Sequence, residues 1–266
     1  MTAGTYALRD STTMLRRNLR RLQRYPSLTV MLIGLPVVFL LLFVYVFGGT
    51  LGAGLGGVAG GRADYLAYVT PGILLMAVAG VAQGTAISVA MDMTEGIIAR
   101  FRTMAIFRPS ILTGHVVSAM TQTACSLAIV LGVAVLIGFR PTATPAEWTA
   151  TVGLLALITF ALTWLTVACG LVSKSVEAAS NLPMPLLLLP FLGSGFVPTE
   201  SMPTGLRWFA EYQPFTPMIE TLRGLLLGTA IGNSAILAIA WCAAITLVSY
   251  LWARAAFNRD PGPMAA

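Results

Sequence analysis

The segment MDMTEGIIARFRTMAIFRPS, residues 91–110, gathers Asp92, Glu95, Arg100, Arg102 and Arg108 between two long apolar runs. Ile97, Ile98, Phe101, Met104 and Ala105 fall at i, i+1, i+4, i+7 and i+8, which makes one apolar stripe on a short helix. The arginines project from its other faces, and Pro109 is expected to stop it. The chemistry on offer is recognition rather than bond making. An aromatic centre flanked by charge suits a groove on a soluble protein. The alternative is a stripe that lies on a bilayer.

Elsewhere reactive groups are scarce. With His115 the only histidine, no His-based metal cluster is possible. A local hydrogen bond at a helix end is its ordinary role, and a proton relay is the alternative. The only lysine, Lys174, sits in CGLVSKSVE, and no G-x-x-x-x-G-K-[ST] loop occurs. The chain is therefore not expected to be a P-loop ATPase. H-E-x-x-H and G-x-S-x-G are also missing. Cys125, Cys169 and Cys242 fall inside apolar runs without a C-x-x-C pair, and are expected to be small buried hydrophobes. Gln83 and Gln122 are the strongly polar groups within apolar runs. They either bond between helices or line a path through them. No metal or cofactor is expected on this chain.

The elements that carry these residues follow from composition. The chain is 57% hydrophobic and 10% charged, against about 25% charged for a soluble domain. So little polar surface cannot coat a globule in water, and the membrane class comes first. The net charge of +6 does not point to nucleic acid, because the arginines cluster beside apolar runs where they anchor to lipid headgroups. About 20 apolar residues cross a bilayer as a helix. Six segments approach that length: 28–47, 65–91, 111–139, 148–172, 182–196 and 234–254. The fifth is the shortest and holds Pro183, Pro185 and Pro190, so it is expected to be kinked or broken. The predicted fold is all-α integral membrane, with six transmembrane helices in a permease-sized domain over residues 28–255. None of the six carries an ionisable residue at its middle, which disfavours an ion-coupled transporter. The first apolar run is too long for a secretory leader.

Orientation follows from the basic residues. With the N-terminus inside, 12 fall in inner segments, and Arg62, Arg140, Arg207 and Arg223 fall outside. That bias places both termini and residues 92–110 in the cytoplasm. Residues 1–27 carry Leu8, Leu15, Leu19 and Leu22 on one stripe with Arg16, Arg17, Arg20, Arg21 and Arg24 around it, the pattern of an amphipathic interfacial helix. Residues 256–266 read as a cytoplasmic tail. Between spans five and six, residues 197–231 offer two short helices. One starts near Ser201 and Pro203, the other at Thr216-Pro217 and ends on Gly228. The second, about 11 residues, is too short to span. Glu220 and Arg223 are spaced to pair, and Trp208, Phe209 and Tyr212 suit a membrane interface.

EGIIARFRTMAIFRP resembles the first cytoplasmic loop of permease subunits of type-2 ATP-binding-cassette exporters, the branch of the daunorubicin/doxorubicin-resistance permeases. Glu95, Gly96, Ile97, Arg100, Phe101 and Arg102 match, while Ala105 stands where proline is common. Residues 181–228 resemble the same family's fifth span and outer re-entrant helical hairpin. There Pro190, Ser194, Phe196, Val197, Pro198, Met202, Pro203, Pro214, Thr216, Arg223 and Gly228 match, and Gln213-Pro214 replaces a frequent Asn-Pro. The resemblance implies a bacterial inner-membrane permease that exports a hydrophobic drug-, lipid- or glycan-like substrate. ATP and Mg would be bound by a separate ATPase subunit, which docks on the six matched loop residues. A second permease copy, identical or similar, would complete the path. Phe196, Pro198, Pro214, Thr216, Glu220 and Arg223 would form an outer gate. The reading from another class is a non-transporting membrane assembly or immunity protein without an ATPase partner.

Overall fold

A computed structural model describes residues 26–54, 61–96 and 109–258. The expected interfacial helix of residues 1–27, the stripe at 97–105 and the end of the tail lie outside the described residues, apart from the helical backbone of 26–27 and 256–258. Every regular element among the described residues is helical. In chain order these are α1 (Pro26–Leu42), a π-helical turn (Phe43–Phe47), α2 (Gly48–Ala53), α3 (Arg62–Thr94), α4 (Pro109–Leu136), α5 (Pro145–Val172), α6 (Val176–Asn181), α7 (Met184–Leu188), a 3-10 turn (Thr199–Ser201), α8 (Thr204–Tyr212), α9 (Phe215–Leu227) and α10 (Ser234–Asn258).

Five of these stretches are long and apolar enough to cross a membrane: Gly34–Ala53, α3, Leu112–Leu136, α5 and Ser234–Phe257. The chain is a multi-pass membrane protein. The fifth apolar segment is broken, as its prolines require. Pro183 precedes α7, Pro185 sits in its first turn, and the chain runs through turns from Leu189 to Phe196. Proline removes a backbone donor and clashes with the preceding turn, so three within eight residues leave only a single short helix.

α3 is the axle. Its most apolar window is 83% buried within the protein, against 17% for the corresponding window of α10. A helix of 33 residues is about 50 Å long, more than the hydrocarbon thickness of a bilayer. One core joins Leu75, Val78 and Ala82 of α3 to Leu154, Ile158 and Leu162 of α5 and to Met218 and Leu222 of α9. A second joins Leu66, Val69 and Ile73 to Leu40 and Val44 of the first span, Val130 of α4, and Phe196. A third, at the other end, joins Val89 to Val116, Trp164, Val167 and Phe257. With lipid outside, such faces are held by close packing more than by exclusion of water.

Helix boundaries differ from expectation at two places. α3 runs on to Thr94, so Asp92 is helical rather than part of a loop, and it is buried. Pro109 opens α4 rather than only ending the preceding segment, which suits a residue whose missing N–H would be unpaired in a first turn anyway. The start of α5 is fixed by a capping box. The Glu147 N–H donates to Thr144 Oγ1, and the Thr144 N–H and hydroxyl donate to Glu147 Oε2.

Candidate functional site

The N-terminal half of α3, α9 and the broken fifth segment meet in one polar knot. Arg223 Nη2 donates to the Ser194 carbonyl at 2.6 Å and to the Tyr68 carbonyl at 3.2 Å. Its guanidinium lies over the Tyr68 ring, 3.8 Å from the centroid. A planar cation with several donors can do all three at once. The expected Glu220–Arg223 pair is not how these side chains are used, since Glu220 Oε2 accepts from the Ser234 hydroxyl at 2.8 Å.

Thr216 is the second tie. Its hydroxyl donates to the Ala210 carbonyl and accepts from the Ser194 N–H and from Gln213 Nε2. Gln213 Nε2 also reaches the Leu189 carbonyl, and its Oε1 accepts from the Phe215 N–H at the start of α9. The turns of the fifth segment have no helical partners for these groups, and the side chains supply them. Tyr65 completes the set, donating to the Phe196 carbonyl at 3.2 Å. Phe196 stacks on Phe191 with centroids 4.2 Å apart and packs on Phe43 at 4.5 Å, pinning the segment to the first span. Gly72 of α3 faces Gly195 so closely that a Cβ there would stand 2.7 Å from the Gly195 carbonyl oxygen. Only glycine permits that approach.

Of the six outer residues singled out from sequence, Thr216, Arg223 and Phe196 therefore hold the knot. Pro214 begins α9, which ends on Gly228 in the left-handed region as expected. Pro198, Glu220 and Arg223 line a cavity of about 420 Å³, with Asp64, Tyr68, Ser194 and Glu200 also on its wall. Tyr65, Tyr68 and Gln213 were not on that short list. The signal available for Gln213 was its place between short helices, directly before Pro214.

At the opposite end of α3, His115 Nε2 lies 3.1 Å from Asp92 Oδ2, and both side chains are buried. Glu95 is exposed just past the helix, and Gly96 at φ +67° turns the chain away. Left-handed backbone at the residue after a helix is the reason glycine stands there. Ile97, Arg100, Phe101 and Arg102 lie outside the described residues. Gln83 Nε2 donates to the Ser180 carbonyl at 2.7 Å, bonding α3 to α6, whereas Gln122 Nε2 is buried without a partner. Cys169 and Cys242 are buried as expected, but Cys125 of α4 is exposed. Among the described residues no group of histidines, cysteines and carboxylates could hold a metal ion.

The described residues form a multi-pass helical bundle with a long central helix, tied to a broken helix pair at one end, and so belong to the class of polytopic helical membrane proteins. Residues 10–227 match the ABC-2 type transporter family model, and the chain belongs to that family. It is similar to the daunorubicin resistance ABC transporter permease protein DrrB1 of Streptomyces coeruleorubidus, 27% identical over 86% of this chain and 78% of that protein. It is also similar to the probable doxorubicin resistance ABC transporter permease protein DrrC of Mycobacterium tuberculosis, 23% identical over 61% of this chain and 59% of that one. The chain thus spans less than two thirds of the mycobacterial relative. It is a type-2 permease, the transmembrane subunit of an ABC exporter.

Proposed function

We propose that this permease exports a hydrophobic, drug-like molecule, using ATP hydrolysed by a separate subunit that docks on residues 95–102. The names of the two relatives favour a drug over a lipid or a glycan as cargo. On this reading the broken segment 182–196 is a sixth crossing, and residues 197–231 form a hairpin that re-enters from the outer side. The charge bias supports both termini on the cytoplasmic side of a bacterial inner membrane. A second permease chain, identical or similar, faces the first across the path.

The observation that carries the mechanism is the span of α3. One end is clasped to α4 by Asp92 and His115, immediately before Glu95 and Gly96. The other end receives Arg223 and the Gly195 backbone. A rigid helix held at both ends transmits displacement along its axis. ATPase closure at Glu95, Gly96, Ile97, Arg100, Phe101 and Arg102 then tilts α3 and shifts the hairpin that carries Phe196, Pro198, Pro214, Thr216, Glu220 and Arg223. Such rocking exchanges inward- and outward-facing states. Gln83 is occupied between helices, which leaves Gln122 as the better residue for lining the path.

The test is reconstitution. Permease and ATPase subunit, co-expressed and placed in inverted vesicles, should co-purify and accumulate daunorubicin only with ATP and Mg. Failure of any ATPase subunit to co-purify, together with no accumulation, would overturn the proposal.

A further inference from the structure

Between α4 and α5 the bundle leaves an apolar groove of about 330 Å³. On α4 it runs from Met120 to Leu131 and on α5 from Trp148 to Thr159, with Leu74 of α3 and Leu226 of α9 closing its floor. Either helix covers about 16 Å over that stretch. That is close to one leaflet of a hydrocarbon core about 30 Å thick. Ala124 and Ala128 on α4 are exposed and small, so the groove opens sideways from the bundle. Its wall offers no hydrogen bond. Thr151 and Thr159 donate to the Glu147 and Leu155 carbonyls of their own helix, and Thr123 Oγ1 is sealed from the surface. A polar molecule would lose its hydration there without replacement, and a hydrocarbon chain would not.

One end of the groove differs. Trp148, half-buried near the start of α5, is a side chain that suits headgroup depth. Arg140 is exposed, and its Nη1 donates to the Val135 carbonyl at 2.9 Å and to the Phe139 carbonyl at 3.2 Å. Val135 lies one turn beyond Leu131 on the same side of α4, so the guanidinium stands at the Leu131–Trp148 end. Among the described residues no carboxylate pairs with Arg140. With Nη1 held by the backbone, Nε and Nη2 remain, and that edge of a guanidinium matches two phosphate oxygens.

We propose that this groove holds one resident phospholipid, with an acyl chain between α4 and α5 and the phosphate on Arg140. A phospholipid supplies a hydrocarbon chain and an anion in one molecule, whereas an apolar helix of a second copy supplies only the first. The lipid stays with the chain and is separate from any exported cargo, so the inference does not rest on the export reading. On the proposed topology it belongs to the outer leaflet.

The experiment is native mass spectrometry of the full chain, delipidated in a non-ionic detergent. The probes are palmitoyl-oleoyl phosphatidylglycerol and palmitoyl-oleoyl glycerol, which lacks the phosphate. The first phospholipid should bind about tenfold tighter than the diacylglycerol, the range for gaining a charged hydrogen-bond partner. Arg140→Gln should abolish that difference and leave the diacylglycerol unchanged. Ala124→Leu/Ala128→Leu fills the groove from two exposed positions and should weaken both probes about tenfold, the equivalent of about two buried methylenes. Ala243→Leu/Ala244→Leu, at exposed positions of α10, is the control and should weaken neither. Equal affinity of the two probes, or a groove-filling variant that behaves like the α10 control, would overturn the site. A groove-filling variant that breaks a dimer while lipid binding is unchanged would overturn it in favour of a second copy.

Discussion

His115 Nε2 stands 3.1 Å from Asp92 Oδ2 across 23 residues of sequence, joining the end of α3 to the start of α4 where both are buried. The pair closes the base of the segment that meets the ATPase in the proposed mechanism. A hydrogen bond to a charged group contributes about 1.5–3 kcal/mol when both partners are present. Asp92 has other interactions as well, so single substitutions overstate the pair. A double-mutant cycle with Asp92→Asn and His115→Phe, read by unfolding in mixed micelles, should return a coupling of about 2 kcal/mol. Additive effects would show that the contact carries no energy.

Arg223→Lys keeps the charge and removes the planar group. Both carbonyl bonds come from the single nitrogen Nη2, but a lysine ammonium sits on a shorter side chain and cannot reach the Ser194 and Tyr68 carbonyls while a flat cation lies over the Tyr68 ring. The expected loss is about 2 kcal/mol of stability. Tyr68→Leu removes only the ring contact and should cost about 1 kcal/mol. Thermal unfolding in nanodiscs separates the two, and a lysine variant as stable as the parent would refute the assignment.

Gly72→Ala places a methyl 2.7 Å from the Gly195 carbonyl oxygen, which is backbone and cannot rotate away. Overpacking of this kind costs about 1–3 kcal/mol. Gly132→Ala in α4 meets nothing within 4 Å and serves as the control. It should be neutral or gain up to about 1 kcal/mol, since alanine is the better helix former. Equal melting temperatures for the two variants would mean that α3 and the fifth segment are not in close contact.

Phe101 is the apolar centre of the loop stripe, between Arg100 and Arg102. A buried interface aromatic costs about 2 kcal/mol when truncated, so Phe101→Ala should weaken ATPase association roughly 30-fold. Co-purification at matched protein levels reads this directly. Unchanged association would leave the stripe as a bilayer contact.

Topology can be read chemically. In a background without Cys125, Cys169 and Cys242, a cysteine at Gly57 should react with an impermeant thiol reagent from outside, and one at Thr103 should not. Reporters fused after Pro198 and after Gly228 should fall on the same side. Opposite sides would mean that the hairpin crosses the membrane.

Much of this architecture is written locally. Three prolines within eight residues announced the broken fifth segment, and Gly228 announced the end of α9, because both act on their own turn of backbone. Thr216 and Arg223 were reached through a resemblance, although their partners were not. Arg223 was expected to meet Glu220, three residues away on its own helix, but it reaches Tyr68 and Ser194 on other elements. Asp92 was placed in the charged loop with Glu95, and its partner lies one helix on. Spacing rules see neighbours within an element and are blind to partners that only tertiary packing brings together. Cys125 failed for the related reason that an apolar run does not reveal which of its faces meets lipid.

The broken fifth segment also bears on the order of synthesis. Its Leu189 carbonyl, Ser194 N–H and Ser194 carbonyl are met by Gln213, Thr216 and Arg223, all of which leave the ribosome later. Each unmet backbone group costs several kcal/mol in hydrocarbon. On the proposed topology, a nascent chain that stops near residue 200 therefore presents the insertion machinery with a segment unable to settle in the bilayer. Residues 182–228 must enter as one unit, and a stalled ribosome anywhere inside that stretch strands an intermediate that quality-control proteases can recognise.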